Sequence, residues 1–215
     1  MSPLRFIWKG QTLWLSERRC IFWEEQKMLI FSDPHFGKAA HFRKSGIQIP
    51  QKVSKDNLFT LFELIEFFHP EKILITGDLF HSSENKETDI FLQWRKQINH
   101  LPVILVKGNH DILGNPFYQE ANIEIKEAFW CVENFCFTHD IESVSSTNYI
   151  FSGHIHPAVR VVSGSKQSLK LPCFYFGRKF AILPAFGRFT GTAVIQPTKG
   201  EPVFGITKNE VIRLQ

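Results

Sequence analysis

The sequence LIFSDPHFGK, from Leu29 to Lys38, joins a short apolar run to two polar side chains. The apolar residues are typical of a buried strand. Asp33 and His35 follow directly and place a carboxylate and an imidazole two positions apart. Because alternate side chains of an extended segment point the same way, this spacing predicts that Asp33 and His35 face one common ligand.

The same pattern of an apolar run followed by polar residues recurs along the chain. The runs KILIT and VILVK are followed by Gly77-Asp78 and by Gly108-Asn109-His110-Asp111. Later runs lead into His139 and into Gly153-His154-Ile155-His156. Ligands of α/β proteins bind outside the carboxyl ends of the strands, so we expect these loops to converge on one site.

The rest of the sequence predicts a single α/β domain over residues 1–215 that contains mixed sheets. Two amphipathic helices are indicated, by DNLFTLFELIEFF, which Pro70 ends, and by ETDIFLQWRKQINH. Later segments such as YIFSGHIH, CFYFG and FAILPAF are typical of strands. Strands that alternate with helices and then give way to a β-rich half indicate the α/β class.

The composition is that of a globular protein with a mildly basic charge. The chain has 215 residues, of which 43% are hydrophobic, and a formal net charge of +4, which suits an anionic partner without identifying one. No apolar run reaches the roughly 18 residues of a membrane span and no signal-peptide core is visible, so we expect a cytoplasmic location. The cysteines show no C-x-x-C pair and are interpreted as reduced core residues: Cys20, Cys131, Cys136 and Cys173.

The polar residues after the strands form a set of oxygen and nitrogen ligands for metal ions. Asp78 could bridge two ions, because a carboxylate has two oxygens. One ion could be held by Asp33, His35, Asp78 and His156, and a second by Asp78, Asn109, His139 and His154. Two ions about 3.5–4 Å apart are suited to the hydrolysis of phosphate esters.

His110 follows a candidate ligand and belongs to neither ligand set. It is the candidate general acid that would protonate the leaving oxygen, and Asp111 is the candidate residue that orients it.

The ordered set D-x-H, G-D, G-N-H-D, H and G-H-x-H, from Asp33 to His156, resembles the calcineurin-like metallophosphoesterase superfamily. The resemblance implies a four-layer αββα sandwich, in which two mixed β-sheets are stacked face to face and flanked by helices. It also implies the ligand sets given above and the role of His110 in protonating the leaving group. His81, in GDLFHS, is expected near the site, where it would contact substrate or support a ligand.

The stretches SDPHFGKAAHFRKSGIQIP and LPAFGRFTGT resemble a narrower group, the bacterial ligase-associated phosphoesterases called PdeM. The usual D-L-H-L-G-K of that group is changed here at Pro34 and Phe36, neither of which is a candidate ligand. The resemblance implies a DNA repair endonuclease with Mn as the activating ion, encoded beside an ATP-dependent DNA ligase and a helicase. Fe and Zn remain open.

Three cations in those stretches are candidate substrate contacts. Lys38 and Arg43 follow the first ligand loop, where they could grip phosphate. Arg188, flanked by phenylalanines, could clamp a single strand.

Two other functions remain open from the sequence. The same ligand set fits a phosphoesterase for a small substrate, such as a cyclic nucleotide, a dinucleotide or a phosphomonoester. A catalytically silent scaffold of the same fold is the third alternative, although every position of the motif set is filled.

Overall fold

The structure is a computed structural model that describes residues 1–38, 52–80, 86–143, 146–162, 168–188 and 190–215. Its first sheet has seven strands in chain order. The strands are β1 (Leu4–Trp8), β2 (Gln11–Leu15), β3 (Ile21–Trp23), β4 (Met28–Phe31), β5 (Lys72–Thr76), β6 (Val103–Val106) and β7 (Ile123–Lys126). Strands β1 to β4 are antiparallel and β4 to β7 are parallel, so the sheet is mixed as predicted.

The described part of the chain contains three α-helices, which pack on one face of this sheet. They are α1 (Lys52–Phe68), α2 (Lys86–Gln97) and α3 (Asn115–Glu120). All three contribute side chains to a buried cluster that also contains Leu29 and Phe31 of β4. The alternate residues Met28 and Ile30 belong to a second cluster on the opposite face. The sheet is therefore buried on both faces, which explains the continuous apolar runs of its parallel strands.

The second sheet lies against that opposite face. Its strands are β8 (Phe129–Val132), β9 (Phe135–Thr138), β10 (Tyr149–Ser152), β11 (Pro157–Val162), β12 (Ser168–Phe176), β13 (Phe180–Ile182), β14 (Ala193–Val194), β15 (Val203–Ile206) and β16 (Val211–Arg213). The spatial order is β14-β11-β12-β13-β10-β9-β8, with β15 and β16 attached beside β12. Aromatic side chains such as Phe137, Phe151 and Phe176 fill the space between the sheets.

The α/β class and the two stacked mixed sheets are confirmed. The described residues supply three layers of the expected four-layer sandwich and include no α-helix beyond the second sheet. Both predicted helices are present, whereas the short helix α3 was not predicted. Among the described residues, no helix is long and apolar enough to cross a membrane. A single domain over residues 1–215 stays a prediction.

The carboxyl ends of the central strands meet at one edge of the molecule. Beyond β4, Ser32 forms an isolated parallel bridge with Ala185, which follows β13 of the other sheet. The strands β9 and β10 are parallel and lead into His139 and Gly153 at the same edge. The loops that carry the predicted ligands are therefore held together by backbone pairing between the two sheets.

The interpretation of four reduced cysteines is wrong for one pair. Cys131 and Cys136 form a disulfide between facing positions of β8 and β9, with their Cα atoms 4.0 Å apart. The short turn between these strands brings residues five positions apart opposite each other. Cys20 and Cys173 are free and buried, as expected.

Candidate metal centre

The first group of candidate ligands closes around the carboxylate of Asp33. The Oδ1 atom of Asp33 lies 3.1 Å from Nε2 of His156 and 3.9 Å from Nε2 of His35. The same His35 nitrogen lies 3.7 Å from Oδ2 of Asp78. All four residues of the first predicted set are thus brought together.

The second group is centred on His139. Its Nε2 atom lies 3.4 Å from Oδ2 of Asp78 and 3.1 Å from Oδ1 of Asn109. Nδ1 of His154 is also 3.1 Å from this nitrogen. The second predicted set is therefore assembled as well, with one atom from each residue turned toward a common point.

Asp78 faces both groups through a single oxygen. The distances to His35 and His139 both run from Oδ2, whereas Oδ1 accepts a hydrogen bond of 2.9 Å from the backbone N–H of His110. Of the two carboxylate oxygens, Oδ2 therefore faces both groups, whereas Oδ1 is held by the backbone. Bridging of two ions by Asp78 stays a prediction.

The ligands reach the site from left-handed backbone rather than from extended strands. Asp33 has a φ of 52° and His35 a φ of 46°, and His154 and His156 have φ values of 64° and 52°. The prediction from alternating side chains in D-x-H and H-x-H is thus wrong about the backbone. Non-glycine residues in this region are strained by about 1–3 kcal/mol each, a cost that clusters at functional sites.

Glycines allow the loops to approach this closely. A Cβ atom on Gly153 would overlap Oγ of Ser32 and lie 2.5 Å from Oδ2 of Asp33. A Cβ atom on Gly108 would overlap Oδ1 of Asp78 and lie 2.6 Å from its backbone nitrogen. The close approach of these loops therefore depends on the absence of a side chain at both positions.

The atoms turned into the site fit divalent cations. Oδ1 of Asp33 and Nε2 of His156 are buried and form no hydrogen bond in the described part of the chain, although they lie 3.1 Å apart. The second oxygen of Asp33 is fixed by the Ser32 hydroxyl and by the backbone N–H of His154. A bound cation would satisfy the two ligand atoms that lack a hydrogen bond without disturbing these supports.

The protonation states of the isolated ligands differ. Burial lowers the pKa of His35 to about 3, so its imidazole is neutral, the form that binds metals. Burial acts in the same direction on His139, but the hydrogen bond to Asp78 and the charge of Asp33 raise its pKa to about 9. Burial would raise the pKa of Asp78, yet its contacts with His139 hold it at about 2. Asp78 is therefore ionised, as a bridging ligand must be.

Asp111 organises the loops rather than the imidazole next to it. Its Oδ2 atom accepts hydrogen bonds of 2.8 Å from the backbone N–H groups of Asp78 and Gly108. Its Oδ1 atom accepts one of 2.9 Å from the backbone N–H of Leu79. Because both oxygens are committed to backbone donors, the predicted role of orienting His110 is replaced by that of positioning Asp78.

Two further predicted residues lie at the rim of the first group. The ring of His110 is half-buried and makes an edge contact with the ring of His35, with centroids 5.5 Å apart. Lys38 is half-buried, and burial lowers its pKa although Asp33 and Asp78 act to raise it. The ammonium group of Lys38 therefore interacts electrostatically with both carboxylates.

The remaining predicted substrate contacts are only partly visible. Arg188 is exposed and follows Gly187, whose backbone N–H donates to the carbonyl of Asp33 at 3.1 Å. Arg43 and His81 lie outside the described residues. Arg19 was not singled out from the sequence, but its side chain reaches the same loop, donating from Nη1 to the carbonyl of Ala185 at 3.2 Å.

Two stacked mixed sheets with paired Asp and His clusters at their joined edge define a metal-dependent phosphoesterase. Residues 26–156 match the family model of the calcineurin-like phosphoesterases, a range that includes every residue of both ligand groups. The chain therefore belongs to the calcineurin-like phosphoesterase family.

A solved structure similar to this chain is the Pseudomonas putida nuclease MPE. The two chains are 28% identical, and the match has a TM-score of 0.84 and covers 99% of this chain and 100% of the other. No curated protein sequence matches the chain.

Proposed function

We propose that the protein is a dinuclear-metal phosphodiesterase that cleaves DNA. The chemistry rests on one observation, that Oδ2 of Asp78 faces His35 of one ligand group and His139 of the other. Such a pair of sites suits the displacement at phosphorus that cleaves a diester. Nucleic acid as the substrate is supported by the whole-length similarity to a nuclease. Lys38 and Arg188 at the rim support it further.

The two ligand groups could hold two divalent ions, and we propose that both ions are Mn. When bound, such ions supply an activated water and neutralise the charge of the phosphate. The donor set of carboxylate, imidazole and amide groups contains no sulfur and suits Mn, Fe and Zn alike. The choice of Mn rests on the resemblance of SDPHFGKAAHFRKSGIQIP and LPAFGRFTGT to the ligase-associated group.

The protein's own side chains would bind the phosphate and deliver a proton. The ammonium group of Lys38 would contact a phosphate oxygen in a charge-assisted hydrogen bond. The imidazole of His110, at the rim of the first group, would donate a proton to the leaving oxygen of the ester. Arg43 and His81 are proposed as further substrate contacts on their positions in the sequence.

A role in DNA repair, in the cytoplasm and beside an ATP-dependent DNA ligase and a helicase, is a further part of the proposal. It is supported by the same two stretches of sequence. A pull-down of the purified ligase and helicase with the protein as bait tests direct contact, and the absence of both would remove the partners while leaving the enzymatic proposal intact.

Parallel assays with added Mn test the proposed substrate. The substrates are bis-p-nitrophenyl phosphate, p-nitrophenyl phosphate, and labelled single-stranded and nicked DNA, with the Asp78→Asn variant as the control for contaminating nucleases. We expect cleavage of the simple diester and of at least one DNA. Hydrolysis of the small esters with both DNAs untouched would contradict the proposal and favour a small phosphoester as the natural substrate.

A further inference from the structure

Arg19 ties the turn between β2 and β3 to a loop from the far end of the chain. Its Nη1 atom donates to the carbonyl of Ala185 at 3.2 Å and to the carbonyl of Gly187 at 3.3 Å. Arg19 also has a φ of 63°, so its backbone is held in the left-handed region. These hydrogen bonds hold the guanidinium group near the carboxyl end of β4.

The loop that Arg19 holds is bound in turn to the first ligand loop. The backbone N–H of Phe186 donates to the carbonyl of Ser32 at 2.8 Å, and that of Gly187 donates to the carbonyl of Asp33 at 3.1 Å. A Cβ atom on Gly187 would lie 2.7 Å from the carbonyl oxygen of Pro34, so the two loops touch. Arg188, the next residue, therefore emerges beside the Asp33 ligand group.

Arg19 and Arg188 place two positive charges near one another, since Arg19 donates to the carbonyl of the residue before Arg188. Burial lowers the pKa of Arg19, and the charge of Arg188 lowers it further. In the described ranges, no carboxylate forms an ion pair with either arginine, and the nearby Glu17 contacts Arg18 instead. Holding two like charges together costs free energy, which a bound anion would offset.

On the opposite rim of the metal centre, the cation Lys107 is paired with a carboxylate. A cavity of about 410 Å³ on that side is lined by three members of the second ligand group, Asn109, His139 and His154, together with Lys107, Glu127 and Asp140. The ammonium group of Lys107 lies 3.2 Å from the carboxylate of Glu127, so this cation is already neutralised. A polyanion that crosses the centre therefore meets a paired cation on this side, and on the other side two arginines that form no ion pair among the described residues.

We propose that Arg19 and Arg188 form a binding site for the phosphate that flanks the scissile one, so that a DNA strand is gripped on the Asp33 side of the metal centre. Guanidinium groups bind phosphate oxygens through paired, charge-assisted hydrogen bonds. This inference rests on the proposed function, because only a substrate with more than one phosphate can use the site.

The test compares a strand with a substrate that has no flanking phosphate. The kcat and KM are measured with Mn for a labelled oligodeoxythymidylate and for bis-p-nitrophenyl phosphate. The variants are Arg188→Ala, Arg19→Met and Arg19→Lys. Arg178→Ala is the matched control, because Arg178 is also exposed but lies in the turn before β13, at the opposite end of the sheet from the ligands.

We expect Arg188→Ala to raise the KM for the oligonucleotide by about tenfold, a clearly larger increase than for the simple diester. The dependence of log KM on log salt should become shallower by about 0.7, the change expected when a protein makes one fewer interaction with the phosphates of a single strand. Arg19→Met should show the same selective effect, Arg19→Lys should restore part of the affinity, and Arg178→Ala should behave as the wild type does.

Three results would overturn the inference while leaving the nuclease intact. Wild-type cleavage of the oligonucleotide by Arg188→Ala would mean that no flanking phosphate binds there. An equal loss in Arg178→Ala would mean that only overall charge matters. Equal losses for both substrates in Arg19→Met, with a lowered melting temperature, would mean that Arg19 only braces the loop. By contrast, a wild-type protein that hydrolyses only the small diester would overturn the proposed function itself.

Discussion

The backbone N–H of His110 donates a hydrogen bond of 2.9 Å to Oδ1 of Asp78. This contact fixes the orientation of the Asp78 carboxylate and leaves Oδ2 to face His35 and His139. It also holds the proposed proton donor beside the proposed bridging ligand. The relationship predicts different outcomes for substitutions at the two positions.

Asp78→Asn should abolish both metal binding and activity. The amide oxygen of the new side chain would keep the hydrogen bond from the His110 backbone, which turns the NH2 group toward the two ligand groups. An NH2 group has no lone pair to offer a metal ion. Metal content by mass spectrometry and hydrolysis of bis-p-nitrophenyl phosphate check this outcome, and a variant that retains two ions would refute the bridging role of Oδ2.

His110→Asn should keep both ions but slow turnover. The backbone N–H that supports Asp78 is unchanged by this substitution, whereas the proton donor is removed. The rate of turnover should fall about a hundredfold or more for esters with poor leaving groups. It should fall much less for p-nitrophenyl esters, because the p-nitrophenolate group departs without a proton. A series of diesters with leaving groups of graded pKa measures the effect. A metal-free variant would show instead that His110 supports the site itself.

Asp111→Asn should destabilise the loops that carry Asp78. The carboxylate accepts backbone hydrogen bonds from Asp78, Leu79 and Gly108, and an NH2 group would face at least one of these donors. We expect the free energy of unfolding to fall by about 1.5–3 kcal/mol, the usual contribution of a hydrogen bond to a charged group. Urea unfolding of the metal-free protein measures this.

The control for Asp111→Asn is the same substitution at the exposed Asp89 of α2. It should change the free energy of unfolding by less than about 1 kcal/mol, because it removes only a favourable charge near a helix N-terminus. Equal decreases in the free energy of unfolding at both positions would show that the hydrogen bonds accepted by Asp111 do not stabilise the fold.

Gly153→Ala should prevent the first ligand group from binding its metal ion. The added methyl group would meet the Ser32 hydroxyl and the Asp33 carboxylate, so Asp33 could not keep its position. Gly191→Ala is the matched control, since among the described residues no atom beyond its chain neighbours lies within 4 Å of the position that its Cβ would take. We expect Gly153→Ala to bind one Mn ion or none and Gly191→Ala to bind as the wild type does. Normal binding by both variants would count against the close packing described for Gly153.

The sequence predicted which residues meet but not how the backbone presents them. Strand periodicity and the recurrence of polar residues after apolar runs brought Asp33, Asp78 and His139 to one edge, because carboxyl ends of parallel strands share an edge. Left-handed backbone at His35 was not predictable, since its energy is offset by tertiary contacts that the local sequence does not contain.

Residues whose partners are distant in the chain were also missed or misassigned. Arg19 bonds to carbonyls 166 and 168 positions away, and nothing beside it in the sequence indicates that interaction. Asp111 was assigned to its neighbour His110, whereas its hydrogen bonds reach the loop of Asp78, 33 positions earlier. The Cys131–Cys136 disulfide was missed because its pairing depends on the β8–β9 register, which spacing alone does not reveal.

The number of metal ions bound per chain tests the central claim of a dinuclear centre most directly. After loading with Mn and removal of free ions, the wild-type protein should contain two ions per chain. His156→Ala and His154→Ala should each contain one, because each removes a ligand from a different group, and His100→Ala, at an exposed position, should still contain two. A wild-type protein with one ion or none would contradict the account, as would the loss of both ions in either single-group variant.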